Sequence, residues 1–218
     1  MHTKMTHAQS QSDACYDARA VADAAKYVLE RLPILDDDRP VIGVILGSGL
    51  GSAADRLLAA EGKSLAYTAI PGMPMTHVVG HAGRLVLGRI DGISVAMLQG
   101  RVHYYEGHSI AAIEFGTRLL HALGVRTLIL TNAAGGIRTG FQPGNLMVIS
   151  SHLRPLATDC VSRHPELRNV ESAVNSGFAD ARISGMPFMQ ELLWSEELRH
   201  QAHRVKSPLQ IHEGVYAM

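Results

Sequence analysis

The residues with the clearest chemical promise in this chain are anion-binding groups set among glycines. Gly47-Ser48-Gly49-Leu50-Gly51-Ser52 brings three glycines and a hydroxyl together. Glycines let backbone N–H groups approach an anion, a helix N-terminus behind them adds about half a positive charge, and Ser48 supplies a hydroxyl donor. The spacing is neither the G-x-G-x-x-G of dinucleotide folds nor a Walker loop with its lysine. A tight turn with close helix packing is the competing account. The segment Gln99-Gly100-Arg101-Val102-His103-Tyr104-Tyr105-Glu106-Gly107 carries more information. In an extended chain alternate side chains share a face, so Arg101, His103 and Tyr105 would line one cavity beyond the end of a strand. Arginine offers a planar fork that matches a pair of phosphate oxygens, and histidine adds a donor that titrates near the second phosphate pKa. The alternative here is a surface loop with an Arg–Glu pair.

Other groups are less specific. His77 and His81 stand four residues apart, but Gly80 and Gly83 break any helix there and no H-E-x-x-H occurs. With 12 histidines in the chain such pairs arise by chance, so no metal site is expected. A loop histidine at an anion site, or a packed structural one, fits His81 better. Asn132-Ala133-Ala134-Gly135-Gly136 follows an apolar run, at the edge where open α/β sheets bind ligands, and its small residues permit close approach to a flat ring or a sugar. A turn that needs glycine explains it nearly as well. No G-x-S-x-G elbow is present to support serine hydrolysis. Met73, Met75, Met97 and Trp194 read as core or interface filler.

The surrounding pattern predicts the elements that position these groups. Residues 1–12 read as a loose tail. Apolar spacing from Asp13 to Leu32 predicts a helix, ended by Pro33 and Asp36-Asp37-Asp38. The run Val41–Leu46 is a buried strand that enters the glycine loop, and Ala53–Ala60 reads as a helix behind it. Arg84–Arg89 and Ile93–Leu98 flank Asp91-Gly92, a type I′ hairpin signal. Ser109–Leu123 is an amphipathic helix with Ser109 as N-cap and Gly124 at its C-terminal cap. Thr127–Thr131 is a second buried strand and Leu146–Ile149 a third. Ser151–Met186 is polar and irregular, Met189–His203 reads as helical, and Gly214–Met218 looks like a strand just entered. Strands alternating with helices predict an α/β fold with a central, mixed sheet.

Bulk properties narrow the function classes. The chain has 218 residues, 46% hydrophobic and 18% charged, in the range of an ordinary globular domain. Lys+Arg and Asp+Glu cancel at 20 each, which gives no footprint for nucleic acid or an anionic membrane. Cys15 and Cys160 are too few for a disulfide framework. No signal-like apolar stretch opens the sequence, and no apolar run reaches the roughly 18 residues of a membrane span. The expectation is a soluble cytoplasmic protein.

Taken together, four ordered segments resemble purine nucleoside phosphorylases of the trimeric class. They are Leu46–Gly51, Gly80-His81-Ala82-Gly83-Arg84-Leu85, Gln99–Gly107 and Thr131–Gly136. The likeness covers residues 20–150, and Met97-Leu98-Gln99-Gly100-Arg101 favours this branch over the related methylthioadenosine phosphorylases. It implies a three-layer αβα, phosphorylase/hydrolase-like fold, with residues 13–218 as a single domain that assembles as a homotrimer. It also implies phosphorolysis of purine (deoxy)ribonucleosides to free base and (deoxy)ribose 1-phosphate, as in purine salvage. Inorganic phosphate is then a co-substrate, and no metal or organic cofactor is required. By the same resemblance Ser48, His81, Arg101, His103 and the Ala133 backbone would bind phosphate, with His103 and Glu106 the catalytic pair and Glu106 supporting the phosphate cluster. Tyr105, Ala133, Ala134 and Gly135 would lie along the sugar and the purine.

The sequence also departs from the family pattern. Ser151-His152-Leu153-Arg154 stands where the family continues Asp-His-Ile-Asn, and Gly214–Met218 resembles the strand before a Gly-Pro-x-x-Glu-Thr motif that does not follow. The expectation is a C-terminally truncated member in which the purine-reading residues are missing. The alternatives are a catalytically impaired paralogue that binds phosphate or serves as an interaction subunit, and a methylthioadenosine phosphorylase-like activity. A dinucleotide-dependent oxidoreductase rests on the glycine loop alone, which lacks the third correctly spaced glycine.

Overall fold

Period-two alternation in the apolar runs builds a five-stranded sheet whose two faces are both covered. The structure, a computed structural model, describes residues 16–32, 39–78, 82–154, 188–191 and 195–217. They fall into two compact units, Met1–Gly135 and Gly136–Met218. In the first, β1 (Ile42–Leu46), β2 (Lys63–Ala66), β3 (Arg84–Ile90), β4 (Ile93–Gln99) and β5 (Thr127–Leu130) lie in the order β2-β3-β4-β1-β5. The central β1 runs parallel to both β4 and β5, while β2 and β3 are antiparallel additions, so the sheet is mixed.

Side chains alternate between the faces as the strand period requires. Ile45, Leu85, Leu87, Ala96 and Leu98 pack against α1 (Ala18–Arg31) and α3 (Ile110–Leu123) through Val21, Ala24, Val28, Phe115, Leu119 and Leu120. Leu46, Val86, Val95 and Met97 face α2 (Ser52–Ala59) through Ala54 and Leu57. The result is the expected three-layer αβα arrangement. Close packing of α3 on the sheet depends on Gly43, where a Cβ would come within 2.9 Å of Val125 Cγ1.

Local signals operate as expected in this unit. The helix expected over Asp13–Leu32 begins at Ala18, where Asp17, a cap not foreseen, accepts from the Ala20 N–H at 2.8 Å. Asp91 and Gly92 take φ of 49° and 81°, the left-handed pair that a type I′ hairpin needs. Ser109 Oγ accepts from the Ala112 N–H at 3.2 Å, and Gly124 ends α3 at φ 121°. Ser109→Ala is expected to lower stability by about 1 kcal/mol, the usual cost of a lost N-cap, read as a shifted midpoint in chemical denaturation.

Three expectations need correction. The strand β5 is not buried: Ile129 is 46% and Leu130 44% exposed. It sits at the edge of the sheet and pairs only with β1 among the described residues, so one flank lacks cover. The helix expected over Met189–His203 is instead β7 (Phe188–Glu191), followed after Ser195 by α4 (Glu196–Arg204). The Ser195 hydroxyl caps α4 by accepting from Leu198, and that cap fixes its start. The polar run from Ser151 begins inside a strand, since β6 extends over Leu146–Arg154.

The second unit holds a three-stranded sheet, β7-β6-β8, with β8 spanning Ile211–Ala217. β6 is parallel to β8 and antiparallel to β7, with a bulge between Ile149 and Ser151. Ser150, the extra residue, donates its hydroxyl to the Gly214 carbonyl at 3.1 Å. Arg199 and His203 of α4 both meet the Glu213 carboxylate, at 2.6 and 3.3 Å. The expected tail, His81, Trp194, both cysteines and the stretch 155–187 lie outside the described residues. Among the described residues, no helix is long and apolar enough to cross a membrane.

Candidate functional site

The parallel strands β1, β4 and β5 end side by side, with Leu46 opposite Gln99 and Ile45 opposite Leu130. That register delivers Gly47–Ser52, Gly100–Gly107 and Thr131–Gly135 to the same carboxyl edge, where open α/β sheets bind ligands. Three of the four segments singled out above therefore converge by strand pairing alone.

The glycine loop is built for close approach. The Gly47 N–H donates to Thr131 Oγ1 at 2.9 Å, and that hydroxyl donates in turn to the Ile45 carbonyl at 3.3 Å. A Cβ on Gly47 would stand 2.5 Å from the Thr131 carbonyl oxygen and 2.9 Å from Asn132 Cα. Gly49 turns at φ 85° with open space around it, and Leu50 closes the turn by donating to the Gly47 carbonyl at 3.2 Å. Gly51 precedes α2 without a side-chain cap, and the Ala53 and Ala54 N–H groups of the first turn donate to the Leu50 and Gly51 carbonyls at 3.1 and 3.0 Å. Ser48 is exposed on this loop. The anion-site and tight-turn accounts thus describe one structure: the loop packs closely at Gly47 and stays open at Ser48 and Gly49.

Beneath it lies a polar cluster that the sequence did not announce. Gln99 is 5% exposed, and its amide donates to the Gly51 carbonyl at 2.8 Å. Its amide oxygen accepts from Arg84 Nε at 2.5 Å, and Arg84 also pairs with Asp55 in the first turn of α2. The end of β4 is in this way tied to the start of the helix that supports the loop.

Arg101 directs Nη1 to the Thr131 carbonyl at 2.7 Å, which brings the guanidinium to the ends of β1 and β5. The backbone before it is held by Tyr67, whose buried hydroxyl donates to the Gly100 carbonyl at 2.8 Å. Burial pushes that phenol well above its ordinary pKa, so it remains a donor at neutral pH. The expected extended run from Arg101 to Tyr105 stops at His103, because Tyr104–Glu106 forms a short 3-10 turn. His103 and Tyr105 still come together, their rings stacked at 4.9 Å and 13°. Tyr105 remains 75% exposed and available to a ligand.

Glu106 closes that turn and reaches across to a second segment. Its carboxylate accepts from the His103 N–H at 2.8 Å and the His77 N–H at 2.9 Å. The buried Thr76 hydroxyl donates to the same group at 3.2 Å. Burial raises the pKa of this carboxyl, but the His77 and His103 N–H groups, Thr76 and the nearby His108 outweigh it and leave a net lowering. The clasp fixes residues 76–78, which lead toward His81 in the chain. A folded-state pKa below the unfolded one stabilises above the unfolded value, and the contribution is lost as pH falls through the folded pKa. The His77 and His103 amides are therefore expected to stay protected at neutral pH and to lose protection on acidification below the usual glutamate range. Glu106→Gln should speed their hydrogen exchange about tenfold at pH 7 and remove that acid dependence, a test for exchange measured across pH.

Asn132 Nδ2 lies 3.4 Å from the Ala133 carbonyl, and Ala133, Ala134 and Gly135 are exposed along the same edge. Among the described residues, no group of three or more His, Cys, Asp or Glu side chains could hold a metal ion. Thr131, Thr76, Tyr67, Gln99 and Arg84 organise the site and were missed as functional residues. The available signal was position, since Gln99 and Thr131 occupy the first polar positions at the ends of apolar strands.

Comparison with known proteins places the chain in a family. Residues 41–218 match the model of the Phosphorylase superfamily. The chain is 40% identical over 199 residues to Purine nucleoside phosphorylase 1 of Geobacillus stearothermophilus, covering 90% of this chain and 65% of that protein. It is 46% identical over 136 residues to Purine nucleoside phosphorylase 1 of Bacillus subtilis, covering 62% and 48% respectively. A crystal structure of isoform 2 of the Schistosoma mansoni purine nucleoside phosphorylase, in complex with cytosine and ribose-1-phosphate, superposes with a TM-score of 0.68 at 31% identity. That match covers 93% of this chain and 67% of the solved one. The chain thus spans between about half and two thirds of the length of these relatives.

Proposed function

The chain belongs to the phosphorylase superfamily, and on that footing we propose that it acts on purine nucleosides and inorganic phosphate, releasing free base and (deoxy)ribose 1-phosphate. The observation that supports this reading is that the segments bearing Ser48, Arg101 and His103 follow strands whose carboxyl ends lie side by side, next to the start of α2. That edge has the donors an oxyanion requires and a glycine loop open enough to admit it.

In this reading Ser48, Arg101 and His103 hold phosphate, with His81 and the Ala133 N–H joining them by family likeness. A phosphate oxygen attacks C1′, the bond from C1′ to the purine nitrogen breaks, and its electron pair leaves with the base. Positive charge builds at the sugar as that bond weakens, so an anion fixed next to C1′ both stabilises the charge and completes the new bond. Tyr105, stacked on His103 and open to solvent, lies along the ribose in this reading, with Ala133, Ala134 and Gly135 along the sugar and the base by family likeness. Glu106 orders His103 and residues 76–78. Inorganic phosphate is a co-substrate here, and the mechanism calls on no metal or organic cofactor. Residues 13–218 are read as one phosphorylase domain, acting in the cytoplasm as a homotrimer.

The test is base release from inosine and guanosine, followed with and without phosphate at high protein concentration. Phosphate-dependent appearance of hypoxanthine or guanine is expected. Release at the same rate without phosphate, or none at all, would contradict the reading.

A further inference from the structure

We propose that Thr131 is a positioning residue that sets the distance between the glycine loop and Arg101. The proposal rests on the reading of this edge as a phosphate site. Two atoms of this one residue reach the two halves of that site. Its hydroxyl accepts the Gly47 N–H at 2.9 Å and donates to the Ile45 carbonyl at 3.3 Å. Its carbonyl accepts from Arg101 Nη1 at 2.7 Å. Its own N–H donates to the Ile45 carbonyl at 3.1 Å, which anchors the residue to β1.

The consequence is geometric. An oxyanion held between the loop and a guanidinium needs both at fixed separation, and small errors in such spacing cost affinity steeply. The loop has little slack at Gly47, because the Thr131 carbonyl and Asn132 Cα leave no room even for a methyl group. Thr131 therefore gauges the loop from one side while it orients Arg101 from the other.

Thr131→Val keeps the shape and removes the hydroxyl, so the Gly47 N–H loses its acceptor. Thr131→Ser keeps the hydroxyl. Binding is read by calorimetric titration with inorganic phosphate, alongside the KM for phosphate and for nucleoside. The expected result is phosphate affinity about tenfold weaker in Thr131→Val, with the nucleoside KM unchanged and Thr131→Ser close to the parent. A merely structural role would lower the melting temperature of Thr131→Val and leave phosphate affinity intact, and that outcome overturns the proposal. Should Thr131→Val fail to fold, Thr131→Ser decides: a tenfold loss there despite the retained hydroxyl overturns it, and parent-like affinity supports it. If the parent chain binds no phosphate and Arg101→Ala changes nothing, the phosphate reading falls and takes this proposal with it. If the parent binds phosphate and only the Thr131 effect is missing, the reading stands and the proposal alone falls.

Discussion

Arg101→Ala should lower the rate at subsaturating phosphate by about 100- to 1,000-fold, the range typical of removing one preorganised donor from a site that stabilises charge. The loss should appear as a raised KM for phosphate and a lowered kcat, with the nucleoside KM little changed. Two features set the size. The guanidinium is the strongest donor at the carboxyl edge, since it is permanently charged and offers a planar fork. It is also held in place from both ends: Tyr67 fixes the Gly100 carbonyl before it, and the Thr131 carbonyl takes Nη1. Arg101→Lys keeps the charge but not the fork, so its rate should fall between those of the parent and the alanine variant. Initial rates over a phosphate series check both variants. Equal phosphate dependence in the parent and Arg101→Ala would remove this residue from the site.

The second large effect is expected at Gly47, and Gly49 is its control. Gly47→Ala forces a methyl group to within 2.5 Å of a backbone oxygen and 2.9 Å of a backbone carbon. Backbone cannot rotate aside as a flexible side chain does, so either the loop or the end of β5 must move. A cost near the upper end of the overpacking range, about 3 kcal/mol, is expected, together with loss of most phosphate affinity. Gly49→Ala meets no atom within 4 Å and suffers only from φ 85°. Its penalty should be about 1–2 kcal/mol, the usual price of the left-handed region for a residue with a Cβ. Chemical denaturation ranks the two, and phosphate titration of each folded variant shows whether the damage reaches the site. A Gly49 variant more disrupted than the Gly47 variant would mean that the loop does not pack as described.

Much of this was legible in the sequence for a physical reason. Strand alternation in Val44–Leu46, Leu85–Leu87 and Val95–Leu98 determines which side chains meet which helix layer. The turn chemistry of Asp91-Gly92 and the caps at Ser109 and Gly124 depend on near neighbours, and all three form as expected. The candidate residues Ser48, Arg101, His103, Tyr105 and Ala133 were visible because their types and glycine neighbours are unusual next to apolar strands.

What sequence reading missed depends on partners far away in the chain. Composition made Thr127–Thr131 look buried, yet burial depends on what covers a strand, and β5 lies at the sheet edge. The links from Thr131 to Gly47, from Glu106 to His77 and from Gln99 to Gly51 span 84, 29 and 48 residues. No local pattern encodes such separations, and they exist only once the strand register is set. Alternation likewise could not foresee the turn at Tyr104, where the Glu106 carboxylate takes the His103 N–H and bends the chain back.

The proposed function turns on phosphate, held at the carboxyl edge, being itself the nucleophile at C1′. It is tested most directly by following the oxygen atoms. The chain is incubated with inosine and fully 18O-labelled phosphate in ordinary water, and the sugar product is analysed by mass spectrometry. Ribose 1-phosphate that retains every labelled oxygen, one of them now bridging to C1′, is the expected product. Free ribose carrying oxygen from water, with the phosphate recovered unchanged, would contradict it.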